Sequence, residues 1–251
     1  MTAAPHLRLV PGQRGELEVC TALVRAFLGV TENEPIELTA FVEGRIHVAH
    51  ATTEADHVRL LREAEQIRGF NGAYQLVNGP IDPTLLARYE TGRWHKAWNG
   101  RATDRDISQL RALFVDCDPI RPKGISSTGA QLAAALEVSS AVESWFTEAL
   151  GDDLPIGHGC SGNGYFTLIA LESHAPSTET TRRIAELLGF INKRFGTDAV
   201  KIDTSVSNPA RLMPAPGTWK RKGTNTPERP HRLTSFSCRG RVRRIPLEAL
   251  C

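Results

Sequence analysis

Two aspartates, Asp116 and Asp118, lie on either side of one cysteine in the apolar stretch LFVDCDPIRPKG. In a β-strand, side chains two positions apart project from the same face, which would place the carboxylates about 6–7 Å apart. Two like charges at that distance raise each other's pKa unless a cation lies between them. The pattern therefore indicates either a metal-binding pair or a solvated Asp-x-Asp turn at the end of a strand.

A glycine-rich segment, HGCSGNGYF, follows at residues 158–166. Its central residues are Ser161, Gly162, Asn163 and Gly164. Glycines allow backbone N–H groups to approach an anion closely, and the serine and asparagine add polar side chains. A phosphate-binding turn and an ordinary hairpin turn both agree with this composition, and the hairpin turn is the commoner explanation.

A third polar segment, residues 201–223, combines one acid with several bases. Its charged and polar members include Asp203, Asn208, Arg211, Lys220, Arg221 and Lys222. A carboxylate can hold a divalent cation, and the basic side chains can hold phosphates. Together with the paired aspartates, this inventory matches the needs of nucleotidyl transfer with two Mg²⁺ or Mn²⁺ ions.

The elements that would position these residues alternate irregularly along the chain. Apolar periodicity predicts helices at 15–28, 54–68 and 177–195, and a helix of roughly 20 residues that begins after Thr128. Strands are predicted at IELTAF, RIHVAH, AYQLVN, LRALFVDCD, YFTLIAL, VKID and RLTSFSC, and a helical turn at IDPTLLARY. Because no regular βαβ alternation emerges, we expect an α+β fold with antiparallel sheets.

Trp94 and Trp98 are four residues apart, with His95 and Lys96 between them. This spacing is typical of two side chains on one face of a helix, where both would pack. Stacking on a nucleobase is the alternative that the aromatic and basic residue types allow. Helix-face packing is the favoured interpretation of the pair.

Bulk composition points to an ordinary globular chain. The 251 residues are 41% hydrophobic and 23% charged, and no apolar run is long enough to span a membrane. The segment MTAAPHLRLV lacks the apolar core of a signal peptide. Five scattered cysteines without a C-x-x-C pair favour a reducing, cytoplasmic setting and argue against a cysteine zinc site.

Charge is distributed unevenly around a net value of +2. The block from Arg211 to Arg244 carries ten Lys or Arg and one acid, Glu228, for a net charge of +9, and the remainder carries −7. A local basic block on a nearly neutral chain indicates a surface for a polyanion, although a solvated loop has the same composition.

The segments FVDCDPIRPKGIS, SGNGYF, KIDTSVSNPARLMPAPGT and NTPERPHRL, in this order, resemble the archaeo-eukaryotic primase superfamily. The similarity is greatest to primase-polymerase domains of phages, plasmids and other mobile elements, and covers roughly residues 70 to 236. It implies that Asp116, Asp118 and Asp203 bind two divalent metal ions. It also implies that Arg211, with Asn208 nearby, contacts the phosphates of the incoming nucleotide.

The resemblance also implies a fold and a set of partners. The expected fold is a two-part unit, with residues 1–70 as an N-terminal α/β part and residues 71–251 as the catalytic part. The catalytic part would carry an antiparallel sheet like that of an RNA-recognition motif. Expected partners are a single-stranded DNA template, dNTPs or NTPs, and a replicative helicase, with no membrane. Expected nucleic-acid contacts are Lys220, Arg221, Arg229, His231 and Arg232.

One position departs from the family pattern. Where the family has a histidine near the nucleotide phosphates, this chain has Phe166, which can neither donate a hydrogen bond nor carry a charge. Three explanations follow: Arg211 and Lys222 take over nucleotide binding, the site is naturally or deliberately weakened, or His158 or His231 serves instead.

Two alternatives to a DNA primase-polymerase remain, one raised by this departure and one by the carboxylates themselves. A catalytically silent template-binding or replication-initiation module would tolerate Phe166. A metal-dependent phosphodiesterase or nuclease would use similar carboxylates but would not need a triphosphate site.

Overall fold

The computed structural model of the protein describes residues 15–239 and 243–250. The segment MTAAPHLRLV, Arg241 of the basic block and Cys251 lie outside this part of the chain. Within it are four α-helices: α1 (Glu16–Leu28), α2 (Glu54–Gln66), α3 (Gly129–Leu150) and α4 (Thr178–Phe195). All four lie where the apolar periodicity predicts helices, so those predictions are confirmed.

Local side-chain chemistry sets several of these helix ends. Thr128 before α3 and Ser177 before α4 each accept a hydrogen bond from the backbone N–H three residues later. The third residue's side chain accepts the N–H of the cap in return, which satisfies two unpaired donors at once. At the other end of α4, the N–H of Gly196 donates to the Asn192 carbonyl at 2.8 Å.

Twelve strands lie in the described residues, and antiparallel pairing joins them into three sheets. In chain order they are β1 (Ile36–Val42), β2 (Arg45–Ala51), β3 (Phe70–Leu76), β4 (His95–Lys96), β5 (Leu110–Pro119), β6 (Ile156–Cys160), β7 (Tyr165–His174), β8 (Val200–Ile202), β9 (Leu212–Pro214), β10 (Trp219–Lys220), β11 (Arg232–Leu233) and β12 (Ser235–Cys238).

The first sheet has the order β4-β2-β1-β3-β9, and the second has the order β12-β6-β7-β5-β8. Strands β10 and β11 form a separate two-stranded ribbon. Every one of these pairs is antiparallel. The predicted α+β class with antiparallel sheets is therefore confirmed.

Alternation along β5 divides its side chains between the two faces of the second sheet. Val115 and Cys117 lie on the face covered by α3, whose Ser139 hydroxyl is 3.1 Å from the Thr167 hydroxyl on β7. Asp116 lies on the opposite face, directly across from Phe166 of β7. The sheet therefore has one face covered by α3, called the helix-covered face below, and an opposite face that bears the acid pair and, further along, packs on α1 through Phe236 and Phe27.

The chain crosses from the second sheet to the first between β8 and β9. After β8 it passes through a 3₁₀ turn, Thr204–Ser207, and then pairs in β9 with β3. Residues 203–211 therefore lie between the two sheets. Three strands of the first sheet, β3, β4 and β9, come from residue 70 onward, and the division of the chain at that residue stays a prediction.

Three local predictions are wrong or incomplete. Trp94 and Trp98 do not lie on a helix, because His95 and Lys96 between them pair as a strand with the edge of β2. RLTSFSC forms two strands instead of one, because Arg232–Leu233 pairs with β10 in the ribbon and Ser235–Cys238 pairs with β6 in the second sheet. Strand β6, with the sequence IGHGC, was not expected, since its two glycines weaken the strand signal.

Three further observations concern the cysteines, the helices and the segment IDPTLLARY. Cys20, Cys117, Cys160 and Cys238 have free thiols. Among the described helices, none combines the length and the apolar character needed to cross a bilayer. The segment predicted as a helical turn at IDPTLLARY is a 3₁₀ helix, Pro83–Arg88.

Candidate active site

Strand β5 presents the paired aspartates on one face of the second sheet. Asp116 and Asp118 alternate with Cys117, which is fully buried on the helix-covered face. Burial raises the pKa of the Cys117 thiol, and the neighbouring carboxylates of Asp116 and Asp118 raise it further. Cys117 is therefore a packing residue, and the two carboxylates share the opposite face as the strand period predicts.

The third acid, Asp203, joins them through strand pairing. β8 pairs with the end of β5, and the Asp203 N–H donates to the Asp116 carbonyl at 2.9 Å. One carboxylate oxygen of Asp203, Oδ1, accepts hydrogen bonds from the Ser205 N–H at 2.9 Å and the Ser205 hydroxyl at 2.7 Å. Asp203 thus directly follows the strand that pairs with the one carrying Asp116 and Asp118, although it is distant from them in sequence.

The charge of Asp116 is poorly compensated by its surroundings. Burial raises the pKa of Asp116 well above its usual range, and the charges of Asp118 and Asp203 raise it further. Arg211 and Arg121 act in the opposite direction. Among the described residues, no hydrogen-bond donor contacts the Asp116 carboxylate. An added cation would relieve this repulsion.

Basic side chains surround the three acids. Arg211 is held in place because its Nε donates to the Asn208 amide oxygen at 3.1 Å and its Nη2 donates to the Ser205 carbonyl at 2.9 Å. Burial lowers the pKa of Arg211, against the opposing charges of Asp203 and Asp116. Asn208 is occupied by this contact and by a bond from its amide nitrogen to Asp104, so the structure places it as a support for Arg211.

Two further cations lie beside Asp118. Arg121 Nη1 is 3.7 Å from Asp118 Oδ1, and its side chain is almost fully buried. Burial lowers the pKa of Lys222, the charge of Arg121 lowers it further, and the charges of Asp118 and Asp116 act in the opposite direction. Sequence reasoning identified Lys222 but missed Arg121, although it lies three residues after Asp118 in the same quoted stretch.

The chemistry of this donor set fits divalent metal ions, because Mg²⁺ and Mn²⁺ prefer carboxylate oxygens. The poorly compensated charge on Asp116 is the observation that supports the fit. Within residues 15–239 and 243–250, no three His, Cys, Asp or Glu side chains are grouped closely enough to hold one ion as they stand. Ion binding would therefore require the carboxylates to turn toward one another.

The glycine-rich turn lies against the acid pair between β6 and β7. A Cβ on Gly164 would be 2.5 Å from the Cys117 carbonyl oxygen and 2.8 Å from Asp118 Oδ1, so only glycine allows this approach. The Ser161 hydroxyl accepts the N–H groups of Asn163 and Gly164 at 3.3 and 2.8 Å. The Gly162 N–H donates to the Cys160 thiol sulfur at 3.3 Å. These amides are therefore used within the turn.

Asn163 also has a structural partner. Its Oδ1 accepts the Ser127 N–H at 2.8 Å, and its backbone carbonyl accepts the Ser127 hydroxyl. These contacts fasten the turn to the start of α3. The nucleotide-binding role expected for Ser161, Gly162, Asn163 and Gly164 stays a prediction.

Phe166 lies directly across from Asp116 and is fully buried. Its ring centroid is 5.6 Å from that of Phe114 and 6.5 Å from that of Phe236. The ring lies over Gly159, where a Cβ would come within 2.1 Å of it. Phe166 thus shares the face of the acids but serves as an aromatic packing residue.

The two alternative histidines lie elsewhere. His158 pairs with Thr167 on the helix-covered face and contacts the Glu143 carboxylate of α3. It therefore does not reach the face that bears the aspartates. His231 lies in the loop before β11, where its Nε2 is 2.9 Å from the Gly223 carbonyl oxygen.

The remaining basic residues contact backbone and aromatic groups. Arg229 donates to the Ser126 carbonyl at 2.7 Å, and Arg232 donates to the Ser127 carbonyl at 2.8 Å. Arg221 lies over the Phe70 ring, 5.4 Å from its centroid. These three side chains hold neighbouring segments together, and their nucleic-acid contacts stay predictions.

Lys220 bridges the ribbon and the first sheet. Its ammonium contacts the Tyr74 hydroxyl and lies 4.1 Å from the centroid of that ring. Burial lowers the pKa of Lys220 to about 7, and the charge of Lys222 lowers it further. Among the described residues it has no carboxylate within ion-pair distance.

Comparison with known proteins supports the fold. No protein-family model matches the chain, and no curated protein matches it significantly. The fold is similar to that of a solved primase-polymerase, the AEP (archaeo-eukaryotic primase) domain of cyanophage S-2L, at a TM-score of 0.53 and 13% sequence identity. The similarity covers 92% of this chain and 95% of the cyanophage chain. The chain therefore has an archaeo-eukaryotic primase-like fold.

Proposed function

We propose that this chain is a primase-polymerase that joins nucleotides on a single-stranded DNA template. The observation that supports this most is that Asp116 and Asp118 on β5 lie beside Asp203, which follows the adjacent strand β8. The three acids are bordered by Arg121, Arg211 and Lys222. Acids that can hold metal ions, bordered by cations that can hold phosphates, suit nucleotidyl transfer from a triphosphate. The fold similarity adds support, although a fold by itself does not assign an activity.

Each group would have a distinct task. The three aspartates would hold two Mg²⁺ or Mn²⁺ ions. When bound, the ions would activate a 3′-hydroxyl and stabilise the charge of the leaving pyrophosphate. Arg211 would contact the triphosphate, because Asn208 and the Ser205 carbonyl already fix its guanidinium. Arg121 and Lys222 would balance phosphate charge beside Asp118.

A silent template-binding module is the second candidate, and Phe166 is the observation that favours it. A buried phenylalanine occupies the face beside Asp116 and supplies no donor for a phosphate. The amides of the adjacent turn are also engaged within the turn. This candidate predicts binding of single-stranded DNA without extension of a primer.

The setting of the reaction is part of the proposal. We expect the domain to act in the cytoplasm within the replication system of a mobile element, with a replicative helicase as a partner. The primer-extension assay described next also distinguishes a preference for dNTPs from a preference for NTPs.

Extension of a labelled primer on a single-stranded template, with dNTPs or NTPs and Mg²⁺ or Mn²⁺, tests the proposal. We expect the wild type and an Asp198→Ala control to extend the primer, because Asp198 is exposed and outside the site. Asp116→Ala should reduce extension to background. Extension that survives in Asp116→Ala would refute the assigned role of the carboxylates.

Two further outcomes separate the alternatives. Extension by Phe166→His alone would show that the site is weakened at Phe166, and would favour the silent module for the natural chain. Metal-dependent cleavage of the template without nucleotide binding would favour a nuclease and contradict polymerisation.

A further inference from the structure

An aromatic ledge lies beside the region that joins the two sheets. It consists of Trp98 and Lys96, which are exposed, His95 and Arg101, which are partly exposed, and Tyr89, which is buried. Trp98 is 69% exposed, more than any other large apolar side chain among the described residues. Its ring centroid is 6.2 Å from that of Tyr89 and 6.5 Å from that of His95. The indole therefore leaves most of its surface open while resting on two other rings.

The backbone around Trp98 is held firmly. The Tyr89 hydroxyl accepts the Asn99 N–H at 2.8 Å and donates to the Gly100 carbonyl at 2.9 Å. On the other side, the Ala97 N–H donates to the Ile46 carbonyl at 3.0 Å, at the edge of β2. A ring presented on a fixed loop loses little conformational freedom when a flat ligand stacks on it.

Cations lie before and after the indole in the chain. Lys96 is exposed and Arg101 is partly exposed, and no carboxylate among the described residues lies within ion-pair distance of either. The nearby acid Glu90 is paired with Arg93 at 2.8 Å. The chain thus carries a cation before and after the exposed indole, and these residue types suit the bases and phosphates of a single strand.

The ledge continues into the candidate active site. Arg101 Nη1 donates to the Ala210 carbonyl at 3.3 Å, next to Arg211. Asp104, further along the same segment, accepts the Ala210 N–H at 2.9 Å. Three residues of chain span at most about 11 Å, so Trp98 lies within that distance of the Arg101 backbone.

We propose that the ledge binds a single-stranded nucleic acid, with one unpaired base stacked on Trp98 and the adjoining phosphates near Lys96 and Arg101. The identity of that strand as the template rests on the proposed function. Duplex nucleic acid should bind the ledge poorly, because its paired bases do not offer their faces to a side chain.

Titration of the full chain with a fluorescently labelled single-stranded oligonucleotide, without metal or nucleotide, tests the ledge. Trp98→Ala should weaken binding about tenfold, and Trp98→Phe should retain an intermediate affinity. Arg101→Gln should lower the slope of log K against log salt by about 0.7, the loss of one phosphate contact on a single strand. Oligonucleotide should quench tryptophan fluorescence in the wild type and much less in Trp98→Phe.

Phe190→Ala is the matched control, because Phe190 is a 49% exposed aromatic residue on α4, away from the ledge. It should bind like the wild type. Equal affinities for the wild type, Trp98→Ala and Phe190→Ala would overturn the proposal. An absence of single-strand binding by the wild type would also overturn it. So would a loss of duplex affinity in Trp98→Ala as large as its loss of single-strand affinity.

The result is separable from the proposed enzyme activity. Trp98-dependent binding by a wild type that never extends a primer would support the ledge and refute polymerisation. Normal primer extension, together with single-strand binding that is unchanged in Trp98→Ala, would refute the ledge and would not affect the polymerase proposal.

Discussion

Replacing Asp116 with asparagine should stabilise the metal-free protein while it abolishes activity. The substitution keeps the shape of the side chain and removes a charge that its surroundings disfavour. Two unit charges about 6.5 Å apart, the strand spacing of Asp116 and Asp118, repel by roughly 2.5 kcal/mol at an effective dielectric constant of 20. Asp203 adds to this repulsion, and Arg211 and Arg121 offset part of it. We therefore expect Asp116→Asn to raise the free energy of unfolding by about 1–2 kcal/mol at pH 7.5.

The gain should depend on pH in a defined direction. The folded-state pKa of Asp116 is raised above the unfolded value, so between the two values the folded protein binds more protons than the unfolded chain. The contribution of Asp116 to the free energy of unfolding of the wild type therefore falls as pH rises from the unfolded to the folded pKa. The gain from Asp116→Asn should be small near pH 4, about the unfolded pKa of an aspartate, and should grow toward neutral pH.

Urea unfolding in EDTA, followed by circular dichroism at several pH values, measures this effect. Asp198→Asn, at an exposed position, should stay within about 0.5 kcal/mol of the wild type. Added Mg²⁺ or Mn²⁺ should stabilise the wild type and have little effect on Asp116→Asn. A lower urea midpoint for Asp116→Asn than for the wild type at pH 7.5 without metal would refute the reasoning.

Two other substitutions test the surroundings of the site. Phe166→His should lower the free energy of unfolding, measured in urea, by about 1–3 kcal/mol, because the buried imidazole would find no hydrogen-bond partner beside Phe114 and Phe236. Phe166→Leu should lower the free energy of unfolding by less. An unchanged urea midpoint for Phe166→His would contradict this account. Lys220→Met should raise stability by about 2 kcal/mol at pH 6, with the gain shrinking toward pH 10. The folded-state pKa of Lys220 is about 7, below its unfolded value. Its buried charge therefore destabilises the wild type fully below pH 7, and this destabilisation disappears as pH rises toward the unfolded pKa. Identical dependence of stability on pH in Lys220→Met and the wild type would refute the prediction.

Prediction from the sequence succeeded where the determinants are local. The helix that follows Thr128 begins there because its cap and third residue exchange hydrogen bonds within four positions. Asp116 and Asp118 share a face because alternation is a property of a single strand. The roles assigned to these aspartates and to Arg211 stay predictions that the primer-extension assay addresses.

Prediction failed where contacts between distant segments decide the outcome. The spacing of Trp94 and Trp98 suits a helix, but pairing of the residues between them with β2 makes a short strand. Arg121 was overlooked because the residues around it in the sequence do not show that its guanidinium lies toward Asp118. The glycine-rich turn has the composition of an anion site, yet its amides are engaged within the turn, and Asn163 fastens it to α3.

The sequence by itself determined where the four α-helices of the described residues lie and that Asp116 and Asp118 share a face, because periodicity, capping and strand alternation act over a few residues. It also indicated antiparallel sheets, because the predicted elements show no regular βαβ order. Only the tertiary structure decided that Asp203 lies beside Asp116, that Phe166 packs against that acid's strand in a closed aromatic cluster, and that Trp98 stays exposed. Those arrangements depend on which strands pair and which surfaces are covered, and burial and charge across such long-range contacts are not encoded in any single segment.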